Sequence, residues 1–129
     1  IDFLRGAIST SSLLSQILDL LPSHSSPLVV YSRFFLHAVN AQEETDLFLI
    51  ARELLQERGG LFASEFRTIR DKTLPKATPD HYRRFIDPEF FIDSASRHGF
   101  TCEYVVEGRG FSKYQSDDAY VARVIMALR

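Results

Sequence analysis

Short apolar runs alternate with apolar stripes at helical spacing along this chain. The alternation breaks only at its end, where two strand-like runs follow each other with no helix between them. Parallel strands need a crossover, usually a helix, whereas strands joined by a loop can pair antiparallel. The pattern therefore predicts an α/β sheet, mostly parallel, with flanking helices and a C-terminal antiparallel β-hairpin. Ile1 to Arg5 reads as a short strand. Leu13, Leu14, Ile17, Leu18 and Leu21 recur at helical spacing, with Ser and Thr before them as caps and Pro22 after them as a stop. Leu28-Val29-Val30-Tyr31 is a continuous apolar run, the pattern of a strand buried on both faces.

The next helix is the best marked. Asn40 and Glu43 have capping-box spacing, Glu43 and Glu44 put negative charge in the first turn, and Gly59-Gly60 supplies the stop. Leu47, Ile50, Ala51, Leu54 and Leu55 form its apolar stripe. Leu61 to Phe66 is a second inner strand, and a polar, basic stretch runs from Thr68 to Arg84. Asp87-Pro88-Glu89 starts a helix that Gly99 ends. Phe100, Cys102, Tyr104 and Val106 then alternate with polar residues, which predicts a strand near a sheet edge. A loop through Gly108 and Gly110 leads to the final strand, Val121 to Leu128. The aromatic pairs Phe34-Phe35 and Phe90-Phe91 are most simply core.

With 129 residues, the expectation is a single domain over 1–129. A net charge of −2 argues against broad binding to nucleic acid or anionic membranes, and the apolar runs are too short to span a bilayer. No signal peptide is visible, and the lone Cys102 cannot form an internal disulfide, so the cytoplasm is the expected location. The scattered His24, His37, His81 and His98 have no metal-ligand spacing, and no metal is expected. The apolar, strand-like opening at Ile1 leads us to expect a piece of a larger domain.

Three segments carry a family resemblance. Leu28 to Val39 includes a Leu36-His37 pair after a strand; Leu54 to Phe66 reads as helix, Gly-Gly and a strand ending near Glu65; His98-Gly99-Phe100 enters a further strand. In order and spacing they resemble the fourth, fifth and sixth strands of class I, Rossmann-like S-adenosylmethionine-dependent methyltransferases. The resemblance implies a partial methyltransferase sheet holding about the third to seventh strands, the C-terminal part of such a domain. It departs from the family in one respect. The Gly-rich turn after the first strand and the acid ending the second are absent, and Gly108-Arg109-Gly110 does not replace them because no helix follows it. The first strand is central in the family, so its loss would leave an apolar edge on the fourth strand, open to pairing with a second copy.

Ligands of open α/β sheets sit at the carboxyl ends of the strands. That selects Tyr31, Ser32 and Arg33, which the resemblance implies are cofactor-binding residues, with simple ion pairing as the alternative for Arg33. Glu65, Arg67, His81, Tyr82 and Arg84 are candidate acceptor-binding residues; Arg67 opens, and the last three lie within, a basic stretch that is a candidate acceptor-binding lid and otherwise reads as a solvated loop. The resemblance makes His37 a candidate base that removes the acceptor's proton, although Ala38-Val39 follow it where related O-methyltransferases have Asp-Trp. A packed histidine holding the helix start is the other reading. The parent protein is then expected to transfer a methyl group from S-adenosylmethionine to a small or medium acceptor, this chain alone being inactive. Two rivals stand beside it: a non-catalytic interaction module on the same fold, and another nucleotide-binding α/β enzyme.

Overall fold

The computed structural model describes residues 4–8, 11–22, 26–76 and 82–129. Helix α1 (Ser11–Leu20) precedes strand β1 (Leu28–Arg33), helix α2 (Ala41–Arg58) and strand β2 (Gly60–Arg67). Helix α3 (Pro88–Ser96), strand β3 (Phe100–Gly108), the short strands β4 (Lys113–Tyr114) and β5 (Asp117–Asp118), and strand β6 (Val121–Leu128) complete the order. The expected strand at Ile1 to Arg5 lies partly outside the described residues, and Leu4 and Arg5 are not in a strand.

The main sheet has four strands in the order β1-β2-β6-β3. β1 and β2 are parallel, and β6 runs antiparallel to both of its neighbours. The last strand thus inserts between β2 and β3, and the hairpin expected from the missing helix forms between β3 and β6. Local chemistry explains the helix boundaries. The Asn40 side chain accepts from the Glu43 amide while Glu43 reaches back to the Asn40 amide, completing the capping box of α2. Asp87 accepts from the Glu89 amide ahead of Pro88 and opens α3.

One face of the sheet is packed. Phe62, Phe66, Val124 and Met126 meet Leu47, Phe48, Ala51 and Leu55 of α2 and Phe91 and Ala95 of α3. Phe48 sits at the centre, its ring 5.3 Å from that of Phe91 and 6.1 Å, edge-on, from that of Phe62. Buried aromatics of this size supply much of a core's stabilisation.

The other face is bare, which corrects the expectation that β1 is buried on both sides. Val29 is 69% and Tyr31 60% exposed, and Leu61 and Tyr104 are exposed beside them. Among the described residues no helix layer covers this face. Strand β3 also departs from simple alternation. The register shifts between Cys102 and Tyr104, so that Cys102 lies opposite Met126 but Tyr104 opposite Ile125. Glu103 is the extra residue of a β-bulge, and it turns Tyr104 onto the open face while Phe100 and Cys102 stay with the core. Of the aromatic pairs, Phe91 and Phe35 join the core, whereas Phe90 is 72% exposed on α3 and Phe34 faces the site described next.

Among the described residues no helix is long and apolar enough to cross a membrane, and no group of His, Cys, Asp or Glu is placed to hold a metal ion.

Candidate functional site

Because β1 and β2 are parallel, their carboxyl ends fall together, with Arg33 beside Glu65. The antiparallel β6 brings Arg123 to the other side of Glu65. All three lie on the open face. Glu65 is only 3% exposed. One carboxylate oxygen accepts from Arg33 Nε at 3.1 Å and from Ser112 Oγ at 2.8 Å; the other accepts from Arg123 Nε at 2.5 Å. Burial pushes this carboxyl up, but the bonds from Arg123, Ser112 and Arg33 outweigh burial and hold it below the usual carboxylate range. Arg123 also donates to the Phe111 carbonyl, at 2.9 Å, and so ties the chain after β3 to the sheet. A groove of about 270 Å³ runs here, lined by Tyr31, Arg33, Glu65, Arg123 and Ile125. Ser32 points the opposite way, buried on the packed face, where its hydroxyl bonds that of Ser64 at 2.9 Å.

Beyond β1 the chain turns sharply at Phe34, whose φ of 52° is left-handed. A bulky residue there is strained, and such residues cluster at functional sites. The Phe34 amide donates to the Glu65 carbonyl at 2.8 Å, which holds the turn against β2. Its ring lies 5.4 Å from the Arg33 guanidinium and 6.0 Å from that of Arg67. His37 follows in a 3₁₀ turn, Leu36–Ala38, and is buried. Its Nδ1 accepts from the Arg67 amide at 3.2 Å and its carbonyl accepts from the Arg84 amide at 2.7 Å. An accepting Nδ1 places the ring proton on Nε2, so the imidazole serves here as a brace between the turn and the end of β2.

Arg67 anchors a second cluster. Its guanidinium donates to Asp71 at 2.7 Å and to Asp117 at 2.9 Å. Asp71 is fully buried and also accepts from the Tyr120 amide at 2.8 Å, with Lys76 at 3.3 Å. These bonds draw the β4–β5 hairpin over the carboxyl ends of β1 and β2. Beneath it lies a pocket of about 320 Å³ lined by Arg33, Phe34, Arg67, Lys113, Tyr114 and Asp117, with Ser112 at its side.

The sequence-derived residues therefore divide. Arg33 and Arg67 meet in this pocket, and Tyr31 and Glu65 line the adjoining groove. Ser32 faces the core side. Arg84 is held elsewhere, donating to the Val39 carbonyl at 2.9 Å, the Leu36 carbonyl at 3.2 Å and Glu44 at 2.6 Å, so that it clamps the 3₁₀ turn to the start of α2. Tyr82 is exposed, and His81 lies outside the described residues. Sequence reasoning passed over Ser112, Lys113, Tyr114, Asp117 and Arg123. Two-residue strands carry no periodicity, and the one available signal was the polar, aromatic composition of Ser112 to Asp117 in what read as a plain loop.

This arrangement is a methyltransferase-like α/β fold. The glycopeptide N-methyltransferase MtfA, solved in complex with S-adenosyl-L-methionine, is similar over 93% of this chain and 70% of its own, with a TM-score of 0.57 and 13% sequence identity. The same enzyme in a second structure gives a TM-score of 0.53 at 14% identity, over 93% of this chain and 71% of its own. A protein solved in connection with the conversion of a disulfide bond into a thioacetal group during echinomycin biosynthesis matches 78% of this chain, with a TM-score of 0.51 and 14% identity. The chain spans 48% of the length of that protein. No family model matches the sequence, and no curated protein matches it.

Proposed function

We propose that this chain is the C-terminal part of an S-adenosylmethionine-dependent methyltransferase domain of the cytosol, whose complete form transfers a methyl group to a small or medium acceptor. The observation that supports this best is the sheet order β1-β2-β6-β3, with polar and strained residues gathered where β1 and β2 end. The fold resembles that of an enzyme solved with the cofactor. Tyr31 and Arg33, at the exposed end of an edge strand, are the residues of this chain that would face S-adenosylmethionine. The sequence offers neither the Gly-rich turn nor the ribose-holding acid, so most of the grip would come from chain beyond these residues. When bound, the cofactor supplies the methyl group. This chain's own residues align the acceptor: the Glu65 carboxylate fixes Arg33, Phe34 turns the chain, and the hairpin roofs the pocket. His37 braces that geometry.

The bare sheet face favours a second reading, an interaction module on the same fold. Calorimetric titration of S-adenosylhomocysteine separates the two. It is run on this chain and on the parent protein's chain extended upstream by the strands that the methyltransferase resemblance implies beside β1. Binding to the extended form, with or without binding to the short one, is the expected result. Binding to neither removes the methyltransferase reading and leaves the module.

A further inference from the structure

We infer that the pocket beneath the β4–β5 hairpin takes an aromatic carboxylate, the carboxylate held by Arg33 and Lys113 and the ring set against Phe34 and Tyr114. Calling that ligand the methyl acceptor rests on the methyltransferase reading; the pocket's preference for an aromatic anion does not.

The charge pattern carries the inference. The whole chain has a net charge of −2, yet the linked groups around this pocket are rich in cations. Glu65 is shared by Arg33 and Arg123, Asp117 faces Arg67, and Asp71 is shared by Arg67 and Lys76. Lys113 lines the pocket; Asp118 stands opposite it across the hairpin but is paired with Arg109, and among the described residues Lys113 forms no ion pair. Arg33 bonds Glu65 through Nε alone, and its side chain is 58% exposed, so its terminal nitrogens remain for a ligand. Among the described residues Asp117 is the one carboxylate in the lining, and its oxygens bond Arg67. A cationic ligand would find no open carboxylate here, whereas a carboxylate finds a guanidinium with free N–H groups and an ammonium.

The aromatic part follows from shape. Phe34 is held in a left-handed conformation that its neighbours must enforce, and the strain places its ring at the pocket wall instead of in the core. Tyr114 supplies a second ring, more than half exposed, on the hairpin that forms the roof. At about 320 Å³ the pocket lies near the lower end of small-molecule sites, which run from about 300 to 1,000 Å³. That suits a one- or two-ring ligand.

The test is an amide-shift NMR titration of the 129-residue chain. The probes are 1-naphthoate, 1-naphthylmethylamine and acetate. Saturable shifts at Phe34, Arg67, Lys113 and Tyr114 are expected with naphthoate, with acetate much weaker and the amine inert. Lys113→Glu, on an exposed hairpin, should keep the native spectrum and weaken naphthoate by about tenfold. Equal binding of the amine, shifts mapping elsewhere, or an unchanged affinity in Lys113→Glu overturns the inference. Naphthoate binding in a protein whose extended form ignores S-adenosylhomocysteine keeps the anion site and ends the methyltransferase reading. The reverse pattern keeps that reading and overturns this one.

Discussion

Glu65 joins stability to site geometry in one side chain. Its carboxylate is almost wholly buried and is balanced by Arg33, Arg123 and Ser112. Its pKa in the folded chain lies below the ordinary value of 4.5, so the unfolded chain binds the proton more readily. The stabilisation is then fully present above that value and is lost as pH falls through the lower, folded pKa. Glu65→Gln should cost about 1–3 kcal/mol near neutral pH, because charged hydrogen bonds are lost while both arginines can still turn to water. Urea denaturation across pH 7 to about 3 should show that gap narrowing below the ordinary carboxylate value. A gap of constant size would mean that Glu65 acts through packing and not through its charge. The sequence placed Glu65 at a strand end, where ligands gather, but all three of its partners are remote in sequence. Ser112 and Arg123 arrive through the β6 register and the hairpin, which no local pattern encodes.

At the scale of elements, the Gly59-Gly60 pair shows how one motif serves two ends. Gly59 has a φ of 68° and open space where a Cβ would project, so Gly59→Ala should meet only backbone strain, about 1–3 kcal/mol. Gly60 has a φ of 124°, and a Cβ there would lie 1.8 Å from the Leu28 carbonyl oxygen. Gly60→Ala must push β1 off β2 at the start of their ladder and should cost more than about 4 kcal/mol or prevent folding. Thermal melts of the two variants check the ranking, and equal losses would show that β1 yields easily. Caps, stripes and stops were legible because each depends on residues a few positions apart: Asn40 with Glu43, Asp87 with Pro88, Leu47 with Ile50 and Leu54. The bulge at Glu103 was not legible. It re-aims Tyr104 without altering an alternation that continues unbroken in the sequence. The exposure of Val29 and Tyr31 was likewise hidden, because an apolar run gives no sign of whether a second layer covers it.

The whole molecule has two sheet edges of unlike character. β3, at one edge, carries the bulge and the acids Glu103 and Glu107, devices that discourage further pairing. β1, at the other, is regular and has no charge before Arg33. The amides of Leu28 and Phe34 donate toward the β2 side, to Gly59 and Glu65. In a parallel ladder alternate residues face the partner, so the amides of Val29 and Tyr31 face outward. Beside them the bare sheet face offers Val29, Tyr31 and Leu61 to solvent. An edge with open donors and an adjoining apolar surface is a template for another strand. We expect this chain to self-associate through β1, two copies pairing edge to edge. Sedimentation velocity over a range of concentrations should show dimers whose population falls sharply in Val29→Lys, since a charge on that strand is the defence β1 lacks. Tyr104→Lys, on the opposite edge, should leave the association unchanged. If it alone abolishes the dimer, β3 is the pairing edge and the bulge does not protect it. A chain that stays monomeric at every concentration would mean that β1's own twist, with Arg33 at its end, is defence enough.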